Sequence, residues 1–123
     1  MRVWIGWSIL LVAAIHTAFG IVFLGGAFAL VIRAGVFDTV RLTGASEAGT
    51  AFWFFVSGFL AFILGGVVHH LERLGIALPR FLPWSLLALT VFGCVIMPVS
   101  AWWLLFAPVA GMFARTRSSA SPD

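Results

Sequence analysis

A 34-residue stretch without charge decides the fold, running from Phe81 to Ala114 and reading FLPWSLLALTVFGCVIMPVSAWWLLFAPVAGMFA. As one α-helix it would be about 51 Å long, well beyond the roughly 30 Å hydrocarbon core of a bilayer. Pro98 lies near its middle, where proline removes a helical hydrogen bond, and Ser100 is a good N-cap residue. The stretch therefore predicts a tight helical hairpin at Pro98, with helix 3 over 81–97 and helix 4 over 100–113.

Two further runs without charge precede this stretch. Val3 to Ile32 comprises 30 residues and Ala48 to Leu71 comprises 24. Both exceed the roughly 20 apolar residues that a helix needs to cross a bilayer, so they predict helix 1 over 4–32 and helix 2 over 51–70. The first run is longer than the roughly 7 to 15 apolar residues of a signal peptide, and we interpret it as a retained helix.

Composition favours a membrane protein over a soluble one. Of the 123 residues, 63% are hydrophobic and 9% are charged, whereas a soluble domain carries about 25% charged residues. The seven arginines are spread singly, which argues against a nucleic-acid-binding surface. We therefore expect an all-α membrane protein with a single domain of four transmembrane helices over 1–114, followed by a disordered, Ser-rich tail over 115–123.

The arginines predict the orientation of this domain. With four spans, five arginines share the side of both termini and two lie opposite, which places both termini in the cytoplasm. Each tryptophan lies near the start of a predicted helix, where the indole ring favours the membrane interface. The five are Arg2, Arg73, Arg80, Arg115 and Arg117, the two are Arg33 and Arg41, and the tryptophans are Trp4, Trp7, Trp53, Trp84, Trp102 and Trp103.

Four short motifs lie in or beside the predicted helices. They are Ile15 to Gly20 (IHTAFG), Ala51 to Phe55 (AFWFF), Glu72 to Gly75 (ERLG) with Leu78-Pro79, and Met97 to Leu105 (MPVSAWWLL). Together they resemble a bacterial family of small four-helix integral membrane proteins that is catalogued as a domain of unknown function. The resemblance covers nearly the whole chain and implies four helices in the bacterial cytoplasmic (inner) membrane. It implies no activity.

His16 is the sharpest candidate for a functional residue. It lies about 12 residues into helix 1, roughly 18 Å along its axis and therefore near the bilayer midplane, where polar residues usually face the bundle interior. One interpretation is a neutral histidine that fixes helix packing through a hydrogen bond to a backbone carbonyl, Thr17, Ser57 or Thr90. The others are a residue that lines a ligand-binding site for a lipophilic molecule, such as a quinone or a lipid, and a residue that handles protons.

The end of helix 2 carries three polar residues. His69 and Glu72 share a helical face and are weak candidates for a metal site, but a metal needs at least one further ligand. We therefore expect no metal and no catalytic residue, and interpret His69 and His70 as cations that favour a helix C-terminus. Cys94 is the single cysteine, so it forms no internal disulfide.

Small residues recur every four positions in helix 2, at Ser57, Ala61 and Gly65. Such a stripe lets two helix backbones approach closely. Packing within one bundle is the first explanation, and contact with a second copy or with a membrane-protein partner is the other.

The sequence as a whole predicts a non-catalytic integral membrane protein. It would act either as an accessory subunit or as a binder of a lipophilic molecule near His16. A membrane redox component or enzyme acting on a quinone-like substrate is the alternative. An oligomeric small transporter is a weaker one, because four short helices with one internal ionisable residue offer little pathway.

Overall fold

The computed structural model describes residues 3–36 and 46–118, and within these ranges every regular element is helical. The predicted all-helical class is therefore confirmed, with four α-helices and no strand in the described ranges. Residues 1–2, 37–45 and 119–123 lie outside them, and so does most of the predicted tail. The elements are α1 (Ile5–Arg33), α2 (Glu47–Arg73), α3 (Phe81–Ile96) and α4 (Phe106–Ser118), with a 3-10 turn (Ala101–Leu105) leading into α4.

A glycine lies two residues after the end of each long helix. Gly35 follows α1 with φ of 93° and Gly75 follows α2 with φ of 69°, a left-handed conformation that glycine adopts without the steric penalty of a Cβ. The amide of the residue after each glycine bonds to the carbonyl five residues earlier, at 3.1 and 3.0 Å. These bonds satisfy carbonyls that the end of a helix leaves without partners.

Helix α2 begins at Glu47, four residues before the predicted start. Ser46 is its N-cap, and the Ser46 hydroxyl accepts a hydrogen bond from the Gly49 amide at 3.0 Å. Glu47 lies in the first turn, where a carboxylate interacts favourably with the helix dipole. The early start thus follows from an N-cap serine that the apolar pattern alone does not reveal.

Helix α4 continues to Ser118, past residue 115, where the predicted tail begins. An Arg115 guanidinium nitrogen lies 3.0 Å from a Glu72 oxygen, and the Thr116 hydroxyl donates to the Phe113 carbonyl at 3.0 Å. The boundary placed at residue 115 is therefore corrected, because side chains of the last turns have partners within the protein.

Side chains close the connection between α3 and the 3-10 turn. The Ser100 hydroxyl accepts from the Trp102 amide at 3.4 Å, and the Trp103 indole nitrogen donates to the Pro98 carbonyl at 2.9 Å. A Cβ on Gly93 would overlap the Trp102 indole, so this glycine lets the ring lie flat against α3. The chain therefore reverses around Pro98.

Helix α1 is the central element of the fold. It packs against α2 and also contacts α4 and its 3-10 turn, while α3 packs against α4. No Cα of α2 lies within 8 Å of a Cα in α3 or α4. The buried core lies at the end where α1 starts and α2 stops, and it consists of Ile5, Ile9, Val68, Leu78, Leu86, Val109 and Met112.

Two helices, α1 and α2, are long and apolar enough to cross a membrane, with a mean hydropathy of 2.2 over their most apolar window. Helix α3 is apolar but has 16 residues, about 24 Å, which is less than the hydrocarbon core. The four-span bundle stays a prediction.

Candidate functional site

His16 lies at the contact between α1 and α2 and is half-buried. Its Nε2 atom lies 2.9 Å from the Phe54 carbonyl oxygen and 3.2 Å from the Ser57 hydroxyl. The imidazole also stacks on the Phe54 ring, with centroids 3.8 Å apart and planes 8° apart. Each of these contacts joins the two helices, so His16 connects α1 to α2 by hydrogen bonding and by ring stacking.

The partners of His16 place a proton on Nε2. A carbonyl oxygen only accepts hydrogen bonds, so Nε2 must carry the proton that bonds to Phe54. The Ser57 hydroxyl donates to the same carbonyl at 2.8 Å and is therefore free to accept from Nε2. The three groups form one shared hydrogen-bond cluster at the level of the helix contact. Of the other expected partners, Thr90 bonds to the Leu86 carbonyl of its own helix at 2.7 Å.

The contact between α1 and α2 is built on residues that recur every seven positions. This spacing keeps one face of each helix towards the other, and small side chains allow a close approach. The helices are antiparallel, because Gly6 faces His69 while Gly20 faces Phe54. A Cβ at Gly6 would overlap the backbone of His69. The recurring positions are Gly6, Ala13, Gly20 and Ala27 on α1, and Ala51, Gly58, Gly65 and Glu72 on α2.

The predicted stripe of small residues coincides only in part with this contact. Gly65 is buried, and a Cβ on it would lie 3.0 Å from the Leu10 amide nitrogen. Ala61 is half-buried and Ser57 is exposed. Gly58, which the four-residue spacing leaves out, is buried against His16 and Thr17. The seven-residue spacing is thus the one that the packing follows.

Glu72 is a buried carboxylate that binds three groups at once. Its Oε1 accepts from the Ile5 amide at 3.3 Å and from Arg115 at 3.0 Å, and its Oε2 accepts from the Gly6 amide at 2.7 Å. The side chain is fully buried, and that of Arg115 is 12% exposed. The first amides of a helix have no partners within it, and the N-cap residue of α1, Trp4, makes no side-chain hydrogen bond to them. The Glu72 carboxylate of α2 caps them instead.

We name this arrangement the Glu72 clasp: Glu72, Arg115 and the amides of Ile5 and Gly6. It joins the start of α1, the end of α2 and the last turns of α4. Sequence reasoning considered Glu72 only as a weak metal ligand and missed this role. One signal pointed to it, since Glu72 continues the seven-residue series of Ala51, Gly58 and Gly65.

His69 and His70 lie on different sides of α2. His69 is half-buried against α1, with its ring centroid 5.2 Å from that of Trp7, while His70 is exposed. Both oxygens of Glu72 have protein partners. Within residues 3–36 and 46–118 no three metal-ligating side chains come together.

Comparison with known proteins gives one match. A family model described as "Family of unknown function (DUF6463)" matches residues 1–119. No curated protein and no solved structure matches the chain. The expected membership of a family of unknown function is confirmed, while the bacterial origin and membrane nature that we attach to that resemblance stay predictions.

Proposed function

Because the chain belongs to DUF6463, a family of unknown function, its role must be inferred from its own residues, and we propose that it is a non-catalytic integral membrane protein. In this proposal all four helices are embedded in a bacterial cytoplasmic membrane as an N-in, C-in bundle. The protein serves as an accessory subunit that binds a second copy or another membrane protein.

The outward-facing apolar surface of the two long helices carries the proposal. Only 17% of the most apolar window of α1 and 22% of that of α2 are buried inside the protein. A core helix of a soluble protein of the same hydropathy would be mostly buried, because exposed apolar area is unfavourable in water. This exposed apolar surface is therefore suited to contact with lipid rather than with water.

The tryptophans support the same placement. Trp7 and Trp84 are 61% and 65% exposed near the starts of α1 and α3, and Trp53 and Trp103 are 61% and 57% exposed towards the other end. Because Gly20 faces Phe54, Trp53 lies at the level of about residue 21 of α1. About 21 Å of helix axis therefore separates it from Trp7. Exposed indoles at two levels agree with the interfacial preference of tryptophan, and their 21 Å spacing is shorter than the roughly 30 Å hydrocarbon core of a bilayer.

The contacts of His16 favour an accessory role over catalysis. Its Nε2 is engaged by Phe54 and Ser57, and its ring is covered by Phe54. A residue used in this way stabilises the pairing of two helices, which is the first of the interpretations that the sequence allows.

Binding of a lipophilic molecule near His16 is a second candidate. The exposure of Ser57 favours it, because a ligand in the surrounding lipid reaches the shared hydrogen-bond cluster from that side. A quinone-like substrate would make this a redox site. The test is extraction and mass spectrometry of protein purified in mild detergent, together with an absorbance spectrum. A quinone or lipid that the protein retains and the His16→Phe variant loses supports ligand binding. If the unchanged protein retains no such molecule, this candidate function is contradicted.

Membrane insertion is tested by extraction at alkaline pH. The protein is expected to stay in the membrane pellet after carbonate treatment, and release into the supernatant would contradict the proposal. The orientation is tested with two C-terminal fusions, a fluorescent protein that matures in the cytoplasm and a phosphatase that is active outside it. Fluorescence without phosphatase activity is expected, and the opposite result would overturn the predicted topology.

A further inference from the structure

The hairpin formed by α3, the 3-10 turn and α4 is much shorter than α1. The ring centroids of Trp84 and Phe113 lie 4.9 Å apart, so these two residues mark one level near the open end of the hairpin. Ile96, the last residue of α3, lies about 18 Å from Trp84 along the helix axis. The 29 residues of α1 span about 43 Å.

The other arm of the hairpin has a similar length. A Cβ on Gly111 would contact Trp4 and Ile5, so this part of α4 lies beside the start of α1. A rise of about 1.5 Å per residue in α4 and about 2.0 Å in the 3-10 turn places Ala101 about 18 Å from Gly111. The hairpin tip, residues 97–100, therefore lies less than halfway along α1 from its start.

Two exposed arginines limit how deeply the open end of the hairpin enters a membrane. Arg73 ends α2, and Arg80 precedes α3. Arg80 lies about 6 Å from Trp84, on the side away from the tip. If this hairpin crossed a hydrocarbon core of roughly 30 Å, the core would begin about 12 Å beyond Trp84 and would include Arg80. Charged side chains are unfavourable at that depth, so the tip stops short of the far side.

The hairpin tip is apolar on its outside and hydrogen-bonded within. Val99 is 97% exposed. The Ser100 hydroxyl donates to the Met97 carbonyl at 2.6 Å. The Trp103 indole nitrogen donates to the Pro98 carbonyl at 2.9 Å. Carbonyls inside a bilayer need such partners because no water is present to supply them, so these bonds suit a chain reversal within lipid.

We propose that this hairpin is re-entrant: it enters and leaves the membrane on the side of both termini, and its tip contacts lipid acyl chains inside the bilayer. The proposal rests on the membrane location inferred above. It replaces the predicted four crossings with two, made by α1 and α2, whose halves beyond the tip lie in lipid without α3 or α4 beside them. Both termini stay on one side, so the predicted N-in, C-in orientation is unchanged.

The experiment measures the depth of spin labels on the full chain in phospholipid vesicles. Cys94→Ala removes the native cysteine, and Val99→Cys then carries the label at the tip. Two exposed positions are references: Phe19→Cys on α1 lies at about the level of the tip, and Glu47→Cys lies in the first turn of α2. Collisions with oxygen, which dissolves in hydrocarbon, are compared with collisions with a polar nickel chelate, which does not.

The tip is expected to behave like the reference on α1. The oxygen-to-nickel collision ratio at Val99→Cys should be about tenfold or more above that at Glu47→Cys, because a polar chelate is excluded from hydrocarbon. It should be close to the ratio at Phe19→Cys. Ile96→Cys, which is exposed at the end of α3, has the same expected ratio and provides the measurement if Val99→Cys does not fold.

Two outcomes would overturn the re-entrant hairpin. A ratio at Val99→Cys equal to that at Glu47→Cys would place the tip in water. Few collisions with either reagent would show that protein, rather than lipid, covers the tip. Failure of the membrane location is recognised separately, since the nickel chelate would then also reach Phe19→Cys and carbonate would release the chain.

Discussion

Glu72 is the residue on which the ends of three helices depend. Burying a carboxylate is unfavourable unless hydrogen bonds and an opposite charge compensate it, and Glu72 has both. The favourable terms come from different helices, so none of them survives if the helix ends separate. Glu72 therefore stabilises the arrangement in which the start of α1, the end of α2 and the last turns of α4 meet.

Removing one member of the clasp is expected to be strongly destabilising. Arg115→Met leaves the Glu72 carboxylate buried without its cation, and breaking a buried pair in this way lowers the free energy of unfolding by about 3–5 kcal/mol. Thermal unfolding in detergent measures the loss. In the double variant Glu72→Met/Arg115→Met no charge stays buried, and most of the stability should return. A double variant as unstable as the single one would show that the packing of α4, rather than the ion pair, is at fault.

His16→Phe isolates the hydrogen bonds of His16. Phenylalanine keeps a ring to stack on Phe54 but cannot donate to its carbonyl, so the loss should be about 0.5–1.5 kcal/mol. Ser57→Ala leaves the bond between His16 and Phe54 in place and should have a smaller effect. The melting temperatures of the two variants in detergent provide the comparison. Equal losses for both would mean that Ser57 is the main partner of His16.

At this scale the sequence predicts the position of His16 better than that of Glu72. His16 is conspicuous because it interrupts an apolar run, and its bond to a backbone carbonyl is among the interpretations that its position allows. Glu72 lies at a helix end beside other polar residues, where an exposed carboxylate is ordinary. Its burial depends on Arg115, which is 43 residues away, and no local pattern reveals that distance.

The contact between α1 and α2 is the most extensive pairing of helices in the part of the chain that the structure describes. It depends on glycines that leave no room for a side chain, most clearly at Gly6 against the backbone of His69. At Gly26, on the same helix, a Cβ would have nothing within 4 Å among the described residues apart from its chain neighbours and the nearby backbone of α1. The packing of α1 against α2 therefore requires a glycine at position 6 and does not require one at position 26. Replacing each glycine with alanine, which adds one methyl group, tests this difference.

Gly6→Ala is expected to destabilise the helix pair by about 1–3 kcal/mol, because α1 and α2 must move apart to admit the methyl group. Gly26→Ala is the matched control and should be neutral or stabilising by up to about 1 kcal/mol, since alanine favours helix more than glycine does. The melting temperatures of both variants in detergent test this. A Gly6→Ala variant as stable as the Gly26→Ala variant would contradict the close contact.

The sequence predicts the helices themselves better than it predicts how they pack against each other. The long uncharged runs and the break at Pro98 follow from local chemistry, so they predict the elements. The sequence shows a four-residue stripe of small residues on α2, whereas the packing against α1 follows a seven-residue spacing that includes Gly58. A seven-residue period is expected where one face of each helix stays against the other along their length. The sequence of one helix alone does not show which face that is.

For the whole molecule, the two layers of indole rings make a prediction about depth. In a bilayer, lipids brominated close to the headgroup should quench tryptophan fluorescence more than lipids brominated near the chain ends. The physical reason is that the indole ring favours the interface, and Trp7 and Trp84 are exposed in the first turns of α1 and α3. Fluorescence in unbrominated vesicles provides the reference. Stronger quenching by the deep label would contradict the predicted placement of the helices.

The arrangement of the four helices relative to one another is the feature that the sequence predicts least well. Composition predicts an apolar helical protein, but the central position of α1 and the absence of a close backbone approach between α2 and α3 follow from long-range contacts. Apolar helices offer many similar faces, and the choice among them is made by a few groups such as the Trp102 ring on Gly93.

The Glu72 clasp has a consequence for how the protein is made. Arg115 is synthesised 43 residues after Glu72, so α1 and α2 are complete before the cation that completes the site exists. Until α4 arrives, the carboxylate has only backbone amides to bind, and the helical hairpin is incomplete at that end. A chain interrupted during translation would therefore carry the Glu72 carboxylate without its cation, and the ends of α1 and α2 would be held together less stably than in the finished protein.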